Sequence, residues 1–237
     1  MLTPSSNTTL EPLTSRMAAA AEGAVDVHFS RFRVTAITTD VAGRAQFAPA
    51  PMMEAARLLA DARVDVIVWN GTSGGWEGVD ADRRLVRTIE EELGTPATTG
   101  TLATLDALRA LGVRRYGLVV PYVEEIAAAI RRTFAGEGFE CAGWTAEGLT
   151  TNWDFATVAP SRIADRCRSL APADPDAIAV FCTNLPGAPA VEEVERDLGI
   201  PVLDSVATCL WGALRTAGAP TTVPGWGRLL AMAPDLR

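Results

Sequence analysis

An internal duplication limits what this chain can fold into more than any other feature. The stretch Val64-Asp65-Val66-Ile67-Val68-Trp69-Asn70-Gly71-Thr72-Ser73-Gly74 has a twin in Pro175-Asp176-Ala177-Ile178-Ala179-Val180-Phe181-Cys182-Thr183-Asn184-Leu185. Both run in the order aspartate, apolar run, small residue, threonine, and Cys182 stands 111 positions after Gly71. The agreement continues downstream. Glu92-Leu93-Gly94-Thr95-Pro96 answers Asp197-Leu198-Gly199-Ile200-Pro201, and Leu108-Arg109-Ala110-Leu111-Gly112 answers Leu214-Arg215-Thr216-Ala217-Gly218. A chain of 237 residues built from two copies of one unit makes two lobes, each near the size at which a small domain still buries a core. The equivalent positions 71 and 182 are expected to face one another with a thiol on one side only.

Strand-like and helix-like segments alternate along the chain, which predicts parallel sheets covered by helices, with a binding site at the C-terminal strand ends. Expected strands are Val25 to Thr38, Val66 to Trp69, Pro96 to Thr98, Tyr116 to Val120, Glu140 to Trp144, the run ending at Cys182, and Val202-Leu203. Helices are expected over Pro12 to Glu22 (Thr8 or Thr9 as N-cap), Pro51 to Ala62, Asp80 to Leu93, Thr101 to Leu111, from Pro121 onward, Pro160 to Ser169, Pro189 to Leu198 and Ser205 to Ala217. Asn7, Thr72-Ser73, Tyr122, Asn152 and Cys182-Thr183 each follow a strand or strand-like start, so they are expected to converge.

Composition narrows the functions. A net charge of −8 with no strong basic run excludes nucleic acid and anionic lipid as partners. No apolar stretch approaches the roughly 20 residues that span a bilayer, and the N-terminus lacks the pattern of a signal peptide, so the expected location is the cytoplasm. Cys141, Cys167, Cys182 and Cys209 form neither a CxxC pair nor a metal-ligand spacing. His28, the one histidine, lies in a strand-like run and reads as structural. The loop Asn70 to Gly78 is glycine-rich but has neither the lysine of a P-loop nor a GxGxxG turn.

A cysteine at a strand end before a helix is expected to feel the helix terminus and nearby amides, which lower its pKa and favour thiolate. Cys182 is therefore the candidate nucleophile or proton carrier, while Cys141, Cys167 and Cys209 read as structural. Thr72, Ser73, Tyr122 and Thr183 offer uncharged donors suited to a developing oxyanion. Asn7 and Asn152 could grip a carboxylate or simply tie a loop. Glu124-Glu125, Asp80, Asp82 and Glu90 to Glu92 read as helix starts or solvated faces. Trp69 reads as core, and Trp76 and Trp153 as either core or an apolar wall.

At these residues the sequence resembles the aspartate/glutamate racemase superfamily, and within it the branch of maleate cis-trans isomerase and arylmalonate decarboxylase. The carriers are Thr-Pro-Ser-Ser-Asn-Thr-Thr-Leu-Glu-Pro at 3 to 12, Gly-Thr-Ser-Gly at 71 to 74, Pro-Tyr-Val-Glu-Glu at 121 to 125, Gly-Leu-Thr-Thr-Asn at 148 to 152 and Cys-Thr-Asn-Leu at 182 to 185. The resemblance implies an α/β fold of two pseudo-symmetric lobes, each a four-stranded parallel sheet flanked by helices, with a cofactor-independent site between them and usually two facing cysteines. The expected division is 1–97 with 206–237 in the first lobe and 98–205 in the second. Gly71 in place of the first cysteine matches the decarboxylase side of the branch and argues against two-base racemisation and thiol addition. Asn7, Asn152 and the Cys-Thr-Asn run match the isomerases instead. Met1-Leu2 leaves little of the family's first strand, which implies a short strand or a start further upstream.

The function expected from these residues is decarboxylation of a malonate-type, arylmalonate-like dicarboxylate through an enediolate. Gly71, Thr72, Ser73, Tyr122, Thr183, Asn7 and Asn152 would bind the substrate, and Cys182 would give the proton. An isomerase or racemase lacking its first cysteine is the alternative, and a non-catalytic diacid-binding protein is the alternative of another class. A small dicarboxylate is the expected partner, and a homo-oligomer is left open.

Overall fold

The computed structural model describes residues 1–21 and 25–232. Its first sheet contains β1 (Leu2–Pro4), β2 (Ser30–Phe32), β3 (Ile67–Trp69) and β4 (Ala97–Thr99), in the order β2-β1-β3-β4. The second contains β5 (Arg115–Tyr122), β6 (Glu140–Leu149), β7 (Ala177–Val180) and β8 (Val202–Asp204), in the order β6-β5-β7-β8. All ladders in both sheets are parallel, with Val68 opposite Thr98 in the first and Ala179 opposite Leu203 in the second. The repeat read from the sequence is thus a repeat of topology, in which β3 and β7 hold the same place.

The helices are α1 (Leu10–Ala20), α2 (Val41–Ala45), α3 (Pro49–Ala60), α4 (Gly74–Glu77), α5 (Val79–Leu93), α6 (Gly100–Ala110), α7 (Glu124–Gly136), α8 (Asn152–Phe155), α9 (Pro160–Ser169), α10 (Val191–Leu198), α11 (Ser205–Thr216) and α12 (Arg228–Ala231). Ile67, Val68, Trp69, Leu118, Val119 and Ala177 to Val180 are buried, as strands covered on both faces must be, which is why they read as unbroken apolar runs. Every residue of α11 from Ser205 to Leu214 is buried, and this helix packs against α6, α1 and β4. A helix apolar on all sides has no solvent face to offer and serves as core. The repeated Leu-Gly-x-Pro motif has a plain cause. Gly94 and Gly199 end α5 and α10 in the left-handed region (φ 65° and 75°), where a side chain is disfavoured, and the chain then turns into β4 or β8.

Several boundaries differ from the sequence reading. Only Ser30–Phe32 of the expected Val25 to Thr38 strand pairs, because its neighbour β1 is itself three residues long and the chain then leaves the sheet; His28 lies outside the strand and is exposed. Helix α1 begins at Leu10, with Pro12 in its first turn, and Glu22 lies outside the described residues. Neither Thr8 nor Thr9 caps it by side chain; Asn7 Oδ1 does, accepting from the amides of Thr9 and Leu10 at 2.9 Å each. Strand β5 runs on through Pro121 to Tyr122, so α7 starts at Glu124. A register shift between Val120 and Tyr122 admits a proline that has no N–H to pair. Strand β6 extends past Trp144 to Leu149 as the partner of that longer strand.

Candidate active site

Five strand ends supply the site: β1 leads into Ser6 and Asn7, β3 into Asn70 to Ser73, β5 ends on Tyr122, β6 leads to Asn152, and β7 leads to Cys182 to Leu185. The Thr72 and Tyr122 hydroxyls are 3.1 Å apart. Thr183 Oγ1 donates to the Asn70 carbonyl (3.2 Å) and accepts from Asn7 Nδ2 (3.3 Å). Asn152 Nδ2 donates to Ser6 Oγ at 2.8 Å, and Ser6 Oγ donates to the Val34 carbonyl at 2.6 Å. Residues on both sides of Gly71 therefore touch the surroundings of Cys182. Of the expected site residues, Asn7, Thr72, Tyr122, Cys182 and Thr183 gather there. Ser73 turns its hydroxyl toward Trp69, whose Nε1 donates to it at 3.1 Å, and Asn152 works through Ser6 and its own backbone.

Among the described residues, the amides of Thr72, Ser73, Cys182 and Thr183 have no protein acceptor. Unpaired N–H groups beside two hydroxyls are a ready oxyanion site, since a buried donor without a partner is costly until an anion meets it. Every hydrogen-bond partner of the gathered side chains is neutral, so an anion here would be held by dipoles rather than by a cation.

The thiol departs from expectation. Burial pushes the Cys182 pKa up to about 11, and hydrogen bonds from Tyr122 and from the Asn184 and Leu185 amides recover only part of the rise. The expected helix terminus does not help, because α10 starts only at Val191. Cys182 is thus a neutral thiol near pH 7 rather than a thiolate. Burial likewise holds the Tyr122 hydroxyl far above its ordinary value, so it too keeps its proton.

Gly71 has no room for a side chain. A Cβ built there would lie 2.2 Å from Cζ2 and 2.5 Å from Cε2 of Trp69, inside any contact distance. The indole is buried, tilted against Phe32 with ring centroids 5.0 Å apart.

Sequence reasoning missed Asn184. Its Oδ1 accepts from the Thr8 and Thr9 amides (3.0 and 3.2 Å), its Nδ2 donates to the Asn152 carbonyl (2.6 Å), and its amide donates to Cys182 Sγ (3.4 Å). One side chain thereby ties the loops after β1, β6 and β7. Its presence in the Cys-Thr-Asn run was the available signal. Asp82 lies at a helix start, in the first turn of α5, but faces inward: it is buried, accepts from the Thr99 hydroxyl, and burial lifts its pKa to about 6. Trp76 stands edge-on to Tyr122 with centroids 5.1 Å apart and forms a wall, whereas Trp153 is 55% exposed and cannot. Cys167 and Cys209 are buried in α9 and α11, and Cys141 is half-buried on β6.

The chain is similar to known proteins in sequence and in fold. The sequence profile of arylmalonate decarboxylase matches residues 47–230. The arylmalonate decarboxylase of Bordetella bronchiseptica is 34% identical over 75% of this chain and 76% of its own length. The maleate isomerase of Nocardia farcinica is 29% identical over 97% of this chain and 94% of its own. A solved structure of the Nocardia farcinica maleate cis-trans isomerase, a cysteine-to-serine variant with a covalently bound succinylcysteine intermediate, superposes with a TM-score of 0.89 at 28% identity, covering 97% of this chain and 96% of that one. Both relatives are enzymes acting through this two-sheet fold, one a decarboxylase and one an isomerase. The chain belongs to the arylmalonate decarboxylase family, in the branch of Asp/Glu racemase-like enzymes that also holds the maleate isomerases.

Proposed function

We propose that this enzyme decarboxylates a malonate-type, arylmalonate-like dicarboxylate without a cofactor. The observation that carries the proposal is a single neutral thiol at Cys182 facing a loop in which Trp69 fills the space beside Gly71. One carboxylate of the substrate sits on the Thr72 and Tyr122 hydroxyls and the amides of Thr72, Ser73, Cys182 and Thr183. The other leaves as CO2, and its bonding pair becomes the enediolate, whose negative charge those donors stabilise more than they stabilise the ground state. The apolar ring of Trp76 keeps water from competing for the leaving carboxylate's side of the site. Cys182 Sγ then gives its proton to carbon, and the thiolate recovers a proton from solvent, as a group with a pKa of about 11 will near neutrality. Atoms and charge balance: dicarboxylate plus one proton gives monocarboxylate plus CO2. A single thiol delivers to a single face, so the product has one hand.

The test is release of CO2 from methyl-phenylmalonate by the parent and by Cys182→Ala. Loss of about 100-fold or more in the variant supports a positioned proton donor. Unchanged turnover would sink this mechanism.

Asn7 and Asn152 favour a second reading, maleate isomerisation, because they put amide groups beside the anion loops where a more polar diacid would bind. In that reading a water or hydroxyl replaces the missing thiol. It predicts solvent hydrogen exchange or cis-trans conversion with no CO2 lost.

A further inference from the structure

We infer that Trp69 is the specificity-determining residue that commits this site to one thiol. The loop carrying Gly71 is pinned on two sides. Ahead of the Gly71 Cα lies the indole, with Cζ2, Cε2 and Cη2 at 2.2, 2.5 and 2.6 Å from where a Cβ would stand. The Gly71 carbonyl also packs so closely on Gly100 that a Cβ on that residue would lie 2.6 Å from the Gly71 oxygen. The Gly71 amide is also held, donating to the Trp69 carbonyl at 2.8 Å. The loop cannot retreat to admit a side chain at position 71, so the indole must move.

The indole is held just as firmly. It lies between Phe32 and Phe47, with centroids at 5.0 and 6.4 Å, and its Nε1 donates to Ser73 Oγ. That last bond gives Trp69 a second effect, since it turns the Ser73 hydroxyl toward the ring while leaving the Ser73 amide for an anion. The ring also borders a cavity of about 340 Å³, lined by Phe47, Met52, Ser73 and Leu85 among others. A smaller residue at 69 therefore leaves space that a side chain at 71 can use. Position 69 and position 71 are coupled: a large ring at one requires glycine at the other.

With thiols at both 71 and 182, the chemistry changes in a defined way. A thiolate at position 71 takes the α-proton of a bound 2-arylpropionate, the carbon–hydrogen pair becomes the enediolate, and Cys182 returns a proton to the opposite face. No electrons are gained or lost, and the acid is racemised. This part rests on the reading of the site as a holder of arylacetate-type anions; the packing argument does not.

The experiment is a double-mutant cycle of Gly71→Cys and Trp69→Val, read by thermal midpoint and by exchange of the α-proton of one-handed 2-phenylpropionate in D2O. Gly71→Cys alone is expected to lower the midpoint by roughly 2–12 °C, the range for an overpacked core in a chain of this size, and to gain no exchange. In the Trp69→Val background the same substitution is expected to cost less than half as much and to raise exchange at least tenfold over either single variant. Gly71→Cys that is as stable with the indole present as without it overturns the inference. Trp69→Phe lacks the outer ring atoms Cζ2 and Cη2 that stand over position 71 and serves should Trp69→Val fold poorly: Gly71→Cys should cost less stability beside Phe than beside Trp, and an equal cost also overturns the inference. Coupled midpoints in a protein that releases no CO2 from malonates would uphold Trp69 and remove the decarboxylase reading. Decarboxylation without coupling would do the reverse.

Discussion

Cys182 keeps its proton because the fold that sets it among the strand-end loops also takes it out of water. Three hydrogen bonds favour its anion, yet desolvation outweighs them and the pKa stands at about 11 against an ordinary 9.0. The sign matters for activity. If the thiol is the acid, the rate from this group is full at neutral pH and falls as pH climbs toward 11. A profile of kcat/KM that instead rises through pH 8–10 would mark a thiolate mechanism. Sequence alone pointed to Cys182 as the thiol of interest, through its place in the repeat, but expected a thiolate, whereas desolvation, which depends on what packs over the strand end, raises its pKa. Asp82 stands at a helix start as expected, but its burial went unread although the signal was present. It lies three residues after Val79 and three before Leu85, on the buried stripe of α5 with Ile89, so helical spacing alone placed it inside.

At the scale of elements, two caps make predictions that separate structure from chemistry. Asn7 both caps α1 through Oδ1 and donates through Nδ2 to Thr183. Asn7→Ala should cost about 1 kcal/mol of stability, the usual worth of such a cap. Asn7→Asp should keep the cap and the midpoint but bring an acceptor and a negative charge to an anion site, so substrate binding should weaken well beyond any loss of stability. Denaturant curves and KM values read the two effects apart. Asp204 caps α11, accepting from the Val206 and Ala207 amides, and burial raises its pKa to about 7. A carboxylate raised in the folded state stabilises fully below its unfolded value of 3.8, and that contribution is lost as pH rises through 7, because the native state must then give up a proton it holds and the unfolded state does not. Asp82 acts in the same direction up to about pH 6. Unfolding free energy measured from pH 4 to 7.5 should therefore decline from this pair, and Asp204→Asn should flatten the decline while preserving the cap. The long helices were legible because spacing and punctuation agree, as at Gly94 and Gly199. The ends of β2, β5 and β6 were not, because strand length is set by the partner strand rather than by the residues of the strand itself.

The whole molecule is two similar sheets whose loops meet, and the meeting is made by few bonds. Asn184 joins the loops after β1, β6 and β7, while the segment after β2 reaches across so that Ile37 donates to the Thr150 carbonyl (2.8 Å) and Asn152 donates to the Thr35 carbonyl (3.0 Å). Cys182, Thr72, Tyr122, Asn7 and Asn152 are all buried in this arrangement, and the account places substrate entry at the opening of these bridges. Amide exchange at Ile37 and Asn152 should be faster than in β5 or β7 and should slow when phenylacetate is bound; equal protection with and without it would show that entry lies elsewhere. The duplication made the two-sheet plan legible, and the convergence of strand-end loops followed from parallel topology. Asn184 was not singled out because its value lies in contacts between segments far apart in sequence. Trp69 read only as core, since its role depends on the direction in which a missing Cβ at Gly71 would point.

The central claim is that one thiol protonates one face of a carbanion left by CO2. Proton NMR of the protein with methyl-phenylmalonate and with maleate in D2O tests it most directly. The account predicts loss of CO2 from the malonate, one deuterium at the α-carbon in a product of a single hand, and maleate left unchanged. Conversion of maleate to fumarate with the malonate untouched would contradict it.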